Sequence, residues 1–224
     1  MGVHPEYKGY DGREVKQADT ILLAYPLGVN MSAATRAADL RFYATRTDPD
    51  GPAMTWSMFS LGWLDAHDQA EAASNFVRGG ANQQPPFKVW TETPRGGTVN
   101  FITGAGGFLQ SLINGYGGVR IEKEQLKLVP APPPPNVTQL RLRGVHYLGN
   151  RIAIAIRAKA FTVALLEAAT AGALPPALEI VVLSAPSSFA SPGQVFPLVP
   201  GGESVELPVC DACAAGIRRR TKAA

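Results

Sequence analysis

The spacing of apolar positions changes character partway along the chain. In roughly the first half they recur at helical intervals. Asn30 or Ser32 can cap a helix running through Arg36, Leu40 and Tyr43, and the cluster Asp48-Pro49-Asp50-Gly51-Pro52 must end it. Pro52 then opens a second helix at its first position, with Met54, Met58, Leu61 and Trp63 among its apolar residues. After a break at Leu64 to Asp68, an Ala-rich helix from Gln69 to Val77 closes at Gly79-Gly80. Phe87 to Thr91 alternates and is rich in aromatic and β-branched residues, which predicts a short extended run. Gly104-Ala105-Gly106-Gly107 reads as a close-packed turn before a last helix, Phe108 to Ile113, ending near Gly115.

From Gly118 onward the period is two. Val119 to Glu122, Gln125 to Leu128, Gln139 to Leu142 and Ile152 to Ile156 are predicted strands, with Gly149-Asn150 as a hairpin turn and Ala131 to Pro135 as a polyproline connection. Leu178 to Leu183 and Val205 to Val209 supply further candidates. Helices first and strands afterwards make an α+β chain of two segregated units, not an alternating parallel sheet. The expected boundaries are residues 1–117 for the helical unit, 118–209 for a small antiparallel β domain and 210–224 for a basic, disordered tail.

Composition supports a folded chain: of 224 residues 46% are hydrophobic and 17% charged, a balance that can bury a core. Charge narrows the partners. Of the 21 Lys and Arg, four (Arg218, Arg219, Arg220 and Lys222) lie in the last seven residues, and the remaining 17 face 18 Asp and Glu. The body is close to neutral, without the spread of cations that a nucleic-acid surface requires, so no nucleic acid is expected. No apolar run approaches spanning length and the first residues form no leader, so no membrane is expected either. The two cysteines, Cys210 and Cys213, are half of a metal ligand set, and His4, His67 and His146 are far apart, so neither a metal nor a cofactor is expected. Asn30-Met31-Ser32 and Asn136-Val137-Thr138 are chance matches to the glycosylation sequon in this reading.

The residues richest in chemistry are Lys88-Val89-Trp90-Thr91-Glu92. In an extended strand Lys88, Trp90 and Glu92 project to one side, so a cation, an aromatic plate and a carboxylate converge as they do in sugar sites. By residue type alone the plainer reading carries more weight, with Trp90 plugging the core and Lys88 and Glu92 solvated. Likewise Lys16 and Asp19, three apart at the start of a helix leading to Ile21-Leu22-Leu23, read as a surface ion pair.

Five ordered segments carry a resemblance. His4-Pro5-Glu6-Tyr7-x-Gly9-Tyr10, Lys16-Gln17-Ala18-Asp19, Gly51-Pro52-Ala53-Met54-Thr55-Trp56-Ser57-Met58, Phe87 to Glu92, and Asn100-Phe101-x-Thr103-Gly104-x-Gly106-Gly107-Phe108-Leu109-Gln110 resemble glycoside hydrolase family 65, in its acid-trehalase-like branch. The likeness is close over about residues 4 to 128 and weak beyond. It implies the C-terminal portion of an (α/α)6 barrel followed by a small, sandwich-like β domain. It implies a carbohydrate substrate, an α-linked glucosyl disaccharide such as the glucosylgalactosyl unit on collagen-like hydroxylysine. Glu92 stands where the family's hydrolases carry the general base, Lys16 and Gln17 match the pair that holds the glucosyl unit, and Trp90 helps shape the pocket. The family's general acid lies upstream of the segment that begins at His4, so the resemblance places only the base here and this chain alone is expected to be inactive. Two alternatives stand beside this: a disaccharide phosphorylase, disfavoured because no histidine occurs between His67 and His146, and a non-catalytic remnant.

Overall fold

The structure, a computed structural model, describes residues 2–168 and 177–220. The chain forms two compact units, Met1–Gly115 and Tyr116–Ala224.

The first unit is helical. A 3-10 helix at Thr20–Leu23 precedes α1 (Ala33–Ala44), α2 (Met54–Asp65) and α3 (Gln69–Gly79). The short strands β1 (Gln83–Gln84) and β2 (Val89–Trp90) form an antiparallel ribbon before α4 (Ile102–Gln110), which runs into a π-helical turn at Ser111–Tyr116. Ser32 caps α1 by accepting the Thr35 N–H at 3.0 Å, and Asp68 caps α3 by accepting that of Glu71 at 3.0 Å. Such caps contribute about 1 kcal/mol each. Pro52 stands two residues before the first helical position expected for it, because Ala53 is the N-cap of α2 and Met54 its first residue.

Helix α2 is the hub. Trp56, Phe59, Leu61, Trp63 and Leu64 are all at most 5% exposed, so the helix is buried on every side, and α1, α3 and α4 pack around it. Gly104 to Gly107, expected as a turn, lies inside α4. The reason is contact distance. A Cβ at Gly104 would stand 2.5 Å from the Ala53 Cβ, and one at Gly107 would stand 2.8 Å from that of Met54. The glycines let α4 rest on the entry to α2, which offsets the roughly 0.5–1 kcal/mol that glycine costs in a helix.

Among its described residues the second unit is all β, and every pairing there is antiparallel. Its strands are β3 (Val119–Ile121), β4 (Leu126–Leu128), β5 (Leu140–Tyr147), β6 (Asn150–Ile156), β7 (Ala160–Ala168), β8 (Leu178–Ser184), β9 (Val195–Leu198), β10 (Val205–Pro208) and β11 (Ala214–Arg219). They form a four-stranded sheet of order β10-β7-β6-β5 and a five-stranded sheet of order β3-β4-β11-β8-β9. Ile152, Ile154, Ile156, Phe161, Val163 and Leu207 from the first meet Leu128, Leu178, Ile180, Val182, Ala215 and Ile217 from the second in one core. The β5–β6 turn is Leu148-Gly149, one residue earlier than expected, and both residues take the positive φ (49° and 77°) that suits a two-residue hairpin.

The expectation of a disordered tail from 210 is corrected within the described residues. Strand β11 sits in the middle of its sheet between β4 and β8, with Ala215 and Ile217 fully buried. Arg218, counted as a tail cation, donates through Nε to Oε1 of the buried Glu179 at 2.9 Å. Residues 221–224 of the expected tail lie outside the described residues. A disulfide joins Cys210 to Cys213 in the turn that leads into β11. Among the described residues no helix is long and apolar enough to cross a membrane.

Ending the chain after Val209 would therefore strip a central strand. Both neighbouring ladders would lose their partner, and each large buried side chain uncovered costs about 1.5–3 kcal/mol against a total stability of about 5–15 kcal/mol. The truncated chain should lose the cooperative unfolding of the β unit, read as lost hydrogen-exchange protection in β4 and β8. A true disordered tail would be removed without effect.

Candidate active site

Three loops of the first unit meet here, and the middle one is the tightest. Val15 donates its N–H to the Arg46 carbonyl and accepts that of Asp48, both at 2.8 Å, so residues 13–17 run beside the end of α1. The chain then turns at Asp48 to Gly51, with the Gly51 N–H bonded to the Asp48 carbonyl at 2.9 Å. A Cβ on Gly51 would stand 2.5 Å from the Lys16 carbonyl oxygen, so only glycine fits. Two residues on, Ala53 donates its N–H to the Glu92 carbonyl at 2.9 Å.

The third loop holds Glu92 by its backbone. The Glu92 carbonyl also accepts the side-chain amide of Asn82, a residue only 1% exposed, at 2.9 Å. Buried Thr91 donates its N–H to the Asn82 carbonyl at 3.0 Å, and its hydroxyl donates to the Thr93 carbonyl at 2.8 Å while accepting from Gln84 at 3.0 Å. A tight turn from Thr93 to Gly96 sends the chain back, and the Glu92 N–H closes the loop on the Thr98 carbonyl at 3.0 Å. At the tip of the loop Arg95 forms an ion pair with Asp50.

These restraints bring Lys16 and Glu92 together across 76 positions of sequence: Lys16 Nζ lies 2.8 Å from Glu92 Oε1. The Lys16 side chain is 65% exposed and that of Glu92 24%. The Lys16 ammonium, by hydrogen bond and by charge, holds the Glu92 carboxyl below the usual carboxylate range, and Thr98 adds to this through its backbone and hydroxyl. Glu92 is therefore a carboxylate at neutral pH, fixed at one oxygen.

The other sequence candidates fall around this pair. Lys16 does not pair with Asp19 as its spacing predicts. Gln17 takes that partner instead, donating its amide to Asp19 Oδ1 at 2.8 Å. Trp90 is half-buried and packs as a wall: its ring lies 5.5 Å from Phe108, which stacks on Phe76, and its Nε1 reaches the Gly79 carbonyl at 3.4 Å. Lys88 is exposed with φ of 57°, which breaks the extended run, so Lys88, Trp90 and Glu92 do not line one face. Glu6 caps the 3-10 helix, accepting the Asp19 and Thr20 N–H groups at 2.6 and 3.2 Å and the Thr20 hydroxyl at 2.7 Å. Asn82, Gly97 and Thr98 went unnoticed in the sequence, where only the Gly96-Gly97 pair signals the return turn, and Ala53 was noted only within a motif, without a role. Among the described residues no three His, Cys, Asp or Glu side chains gather as a metal ion would need.

An exposed lysine against a carboxylate, on loops braced by buried polar side chains, offers hydrogen-bond donors beside a group that can accept a proton. No protein-family model matches the chain. It is 42% identical over 202 residues to the protein-glucosylgalactosylhydroxylysine glucosidase of Danio rerio, a match covering 88% of this chain and 30% of that enzyme. It is 38% identical over 147 residues to the kojibiose hydrolase of Mucilaginibacter mallensis, covering 64% of this chain and 22% of the other. A solved structure from the human microbiome, described as a kojibiose phosphorylase, shares the fold over 87% of this chain and 23% of its own, with a TM-score of 0.59 at 13% identity. The chain thus spans less than a third of the length of these relatives. Its ordered motifs and these likenesses agree: over most of its length the chain is homologous to members of glycoside hydrolase family 65, of whose length it spans a part.

Proposed function

We propose that this chain carries the general-base half of an inverting α-glucosidase site, with Glu92 as the base. The observation that supports it most is the 2.8 Å contact between Lys16 and Glu92, which joins the two motifs that the resemblance assigns to sugar holding and to proton removal. In this reading residues 1–117 are the C-terminal portion of an (α/α)6 barrel, and residues 118–209, with the strand that follows them, form the β domain attached to it. Glu92 takes a proton from a water whose oxygen bonds the anomeric carbon. The glycosidic bond breaks on the opposite side, and its oxygen leaves with a proton from a general acid. Inversion requires the two carboxyl groups to stand about 6.5–9.5 Å apart, leaving room for the water. The acid belongs to the greater length of the family's proteins that this chain does not span.

Lys16 serves the same step in two ways. Its ammonium has three donors, one of which holds Glu92 while the others are open to glucosyl hydroxyls, with Gln17 beside it. Trp90 contributes by fixing the wall from which Thr91 and Glu92 emerge. The substrate class in this reading is an α-linked glucosyl disaccharide unit, and its glucosylgalactosyl-hydroxylysine type rests on the name of the Danio rerio relative, a protein-glucosylgalactosylhydroxylysine glucosidase.

In the longer protein that completes the barrel, Glu92→Gln should lower kcat by roughly 10²-fold or more with KM little changed, because the amide keeps the shape and cannot accept the proton. Proton NMR of the first turnovers should show β-glucose, and added phosphate should leave the rate unchanged with no glucose 1-phosphate formed. Wild-type turnover in Glu92→Gln would exclude Glu92 as the base. Residues 1–224 by themselves should show no glucosidase activity, since acid assistance is worth roughly 10²–10⁴-fold.

The pH profile follows from the ion pair. Glu92 titrates below the ordinary range, so activity that needs its carboxylate persists as pH falls and is lost only when pH passes through that lowered value. Lys16→Met should move the acid limb of kcat/KM upward, toward the ordinary carboxylate range, and weaken sugar binding. An acid limb that stays in place would separate Lys16 from the base.

A further inference from the structure

The carboxylate of Glu92 has two oxygens in unlike surroundings. Oε1 is taken by the Lys16 ammonium at 2.8 Å. Oε2 has the Thr98 hydroxyl at 3.4 Å, longer than the 2.7–2.8 Å usual for an O–H···O bond. An oxygen in a short bond to a cation is the poorer proton acceptor, so the lone pairs that remain basic are those of Oε2.

The backbone gives Thr98 little freedom to be elsewhere. The Glu92 N–H bonds the Thr98 carbonyl, and the Thr93–Gly96 turn between them is closed from both sides, by the Thr93 N–H to the Gly96 carbonyl at 2.9 Å and the Gly96 N–H to the Thr93 carbonyl at 3.2 Å. Gly97 has φ of 82°, and a Cβ there would stand 3.2 Å from the Glu92 Cβ and 3.3 Å from Oε2. The loop thus leaves residue 97 bare against the carboxylate and brings residue 98 to its other oxygen, where the Thr98 backbone as well as its hydroxyl favours the charged form. The Arg95–Asp50 ion pair ties the tip of this loop to the neighbouring one.

We propose that Thr98 is a positioning residue for Glu92: its hydroxyl orients the carboxylate so that Oε2, and not Oε1, faces the water and takes its proton. This rests on the reading of Glu92 as the base and adds to it the identity of the accepting oxygen and of the group that aims it. The long contact suits the role. It restrains the rotation of the carboxylate without committing the lone pair, whereas a second short bond would lower the basicity that the step requires.

The test uses the chain as it exists. With glutamate labelled at the carboxyl carbon and the Glu92 resonance assigned through its loss in Glu92→Gln, carbon NMR follows Glu92 through its titration. Thr98→Val and Thr98→Ala, both lacking the hydroxyl at an exposed position, should raise the Glu92 midpoint, and Thr98→Ser should restore the wild-type value. The remaining glutamate midpoints should stay put, as they would not if the fold had changed. A Glu92 midpoint unmoved in Thr98→Val, or a Thr98→Ser chain that behaves like Thr98→Val, overturns the proposal. Its failure is distinct from that of the reading beneath it: a Glu92→Gln enzyme with wild-type turnover would remove the base while leaving the coupling between Thr98 and Glu92 in place.

Discussion

The loop from Asp48 to Ala53 runs between the segment bearing Lys16 and the segment bearing Glu92, with room beside Lys16 for backbone alone. Gly51 touches the Lys16 carbonyl, and Ala53 bonds the carbonyl of Glu92. Since Ala53 is also the N-cap of α2, the separation of the two charged side chains is inherited from the hub helix of the unit. The ion pair is a product of this arrangement and not its cause. Exposed pairs contribute about 0–1 kcal/mol, too little to hold two loops against the entropy of ordering them, whereas the buried Asn82 and Thr91 and the contacts of α4 on α2 act from inside the fold.

Legibility of the fold followed the local physics of each element. Helices α1 and α3 announce themselves by a capping side chain and an apolar period, β5 and β6 by alternation, and β8 by a short β-branched apolar run, so both classes could be read. Helix α4 could not, because its glycines answer to Ala53 and Met54, residues distant in sequence. Strand β7 went unread since Ala164 to Ala168 contains helix formers, and only pairing with β6 and β10 settles its state. Strand β11 hid in the same way. Ala214-Ala215-Gly216-Ile217 offers little side chain to alternate, and the arginines after it resemble a solvated end until Arg218 meets Glu179.

The site was less legible than the fold. Nothing local relates Lys16 to Glu92, and residue type favoured the nearer partner Asp19, so their meeting is a property of topology. The ordered motifs flagged both residues through resemblance, without any geometry. Trp90 illustrates the converse: an aromatic next to a carboxylate invites a stacking role, yet its ring is engaged by Phe108 and its N–H reaches the end of α3. Thr98 carries no signal by type, and its importance comes from the return of the loop onto Glu92.

The carboxylates around the pair explain why a single acidic side chain stands out. Glu6 spends both oxygens on the 3-10 helix, Asp19 holds the amide of Gln17, Asp48 accepts the N–H of Asp50, and Asp50 pairs with Arg95. Each of these carboxylates is engaged as an acceptor by a group of its own loop or its neighbour, whereas a general acid needs burial or a like charge to keep its proton near neutral pH. Lys16 works in the opposite sense at Glu92, favouring the charged form. On the reading proposed above, this corner of the fold supplies the base, and the acid, which needs the complementary environment, stands across the substrate in the part of the family's proteins that this chain does not span.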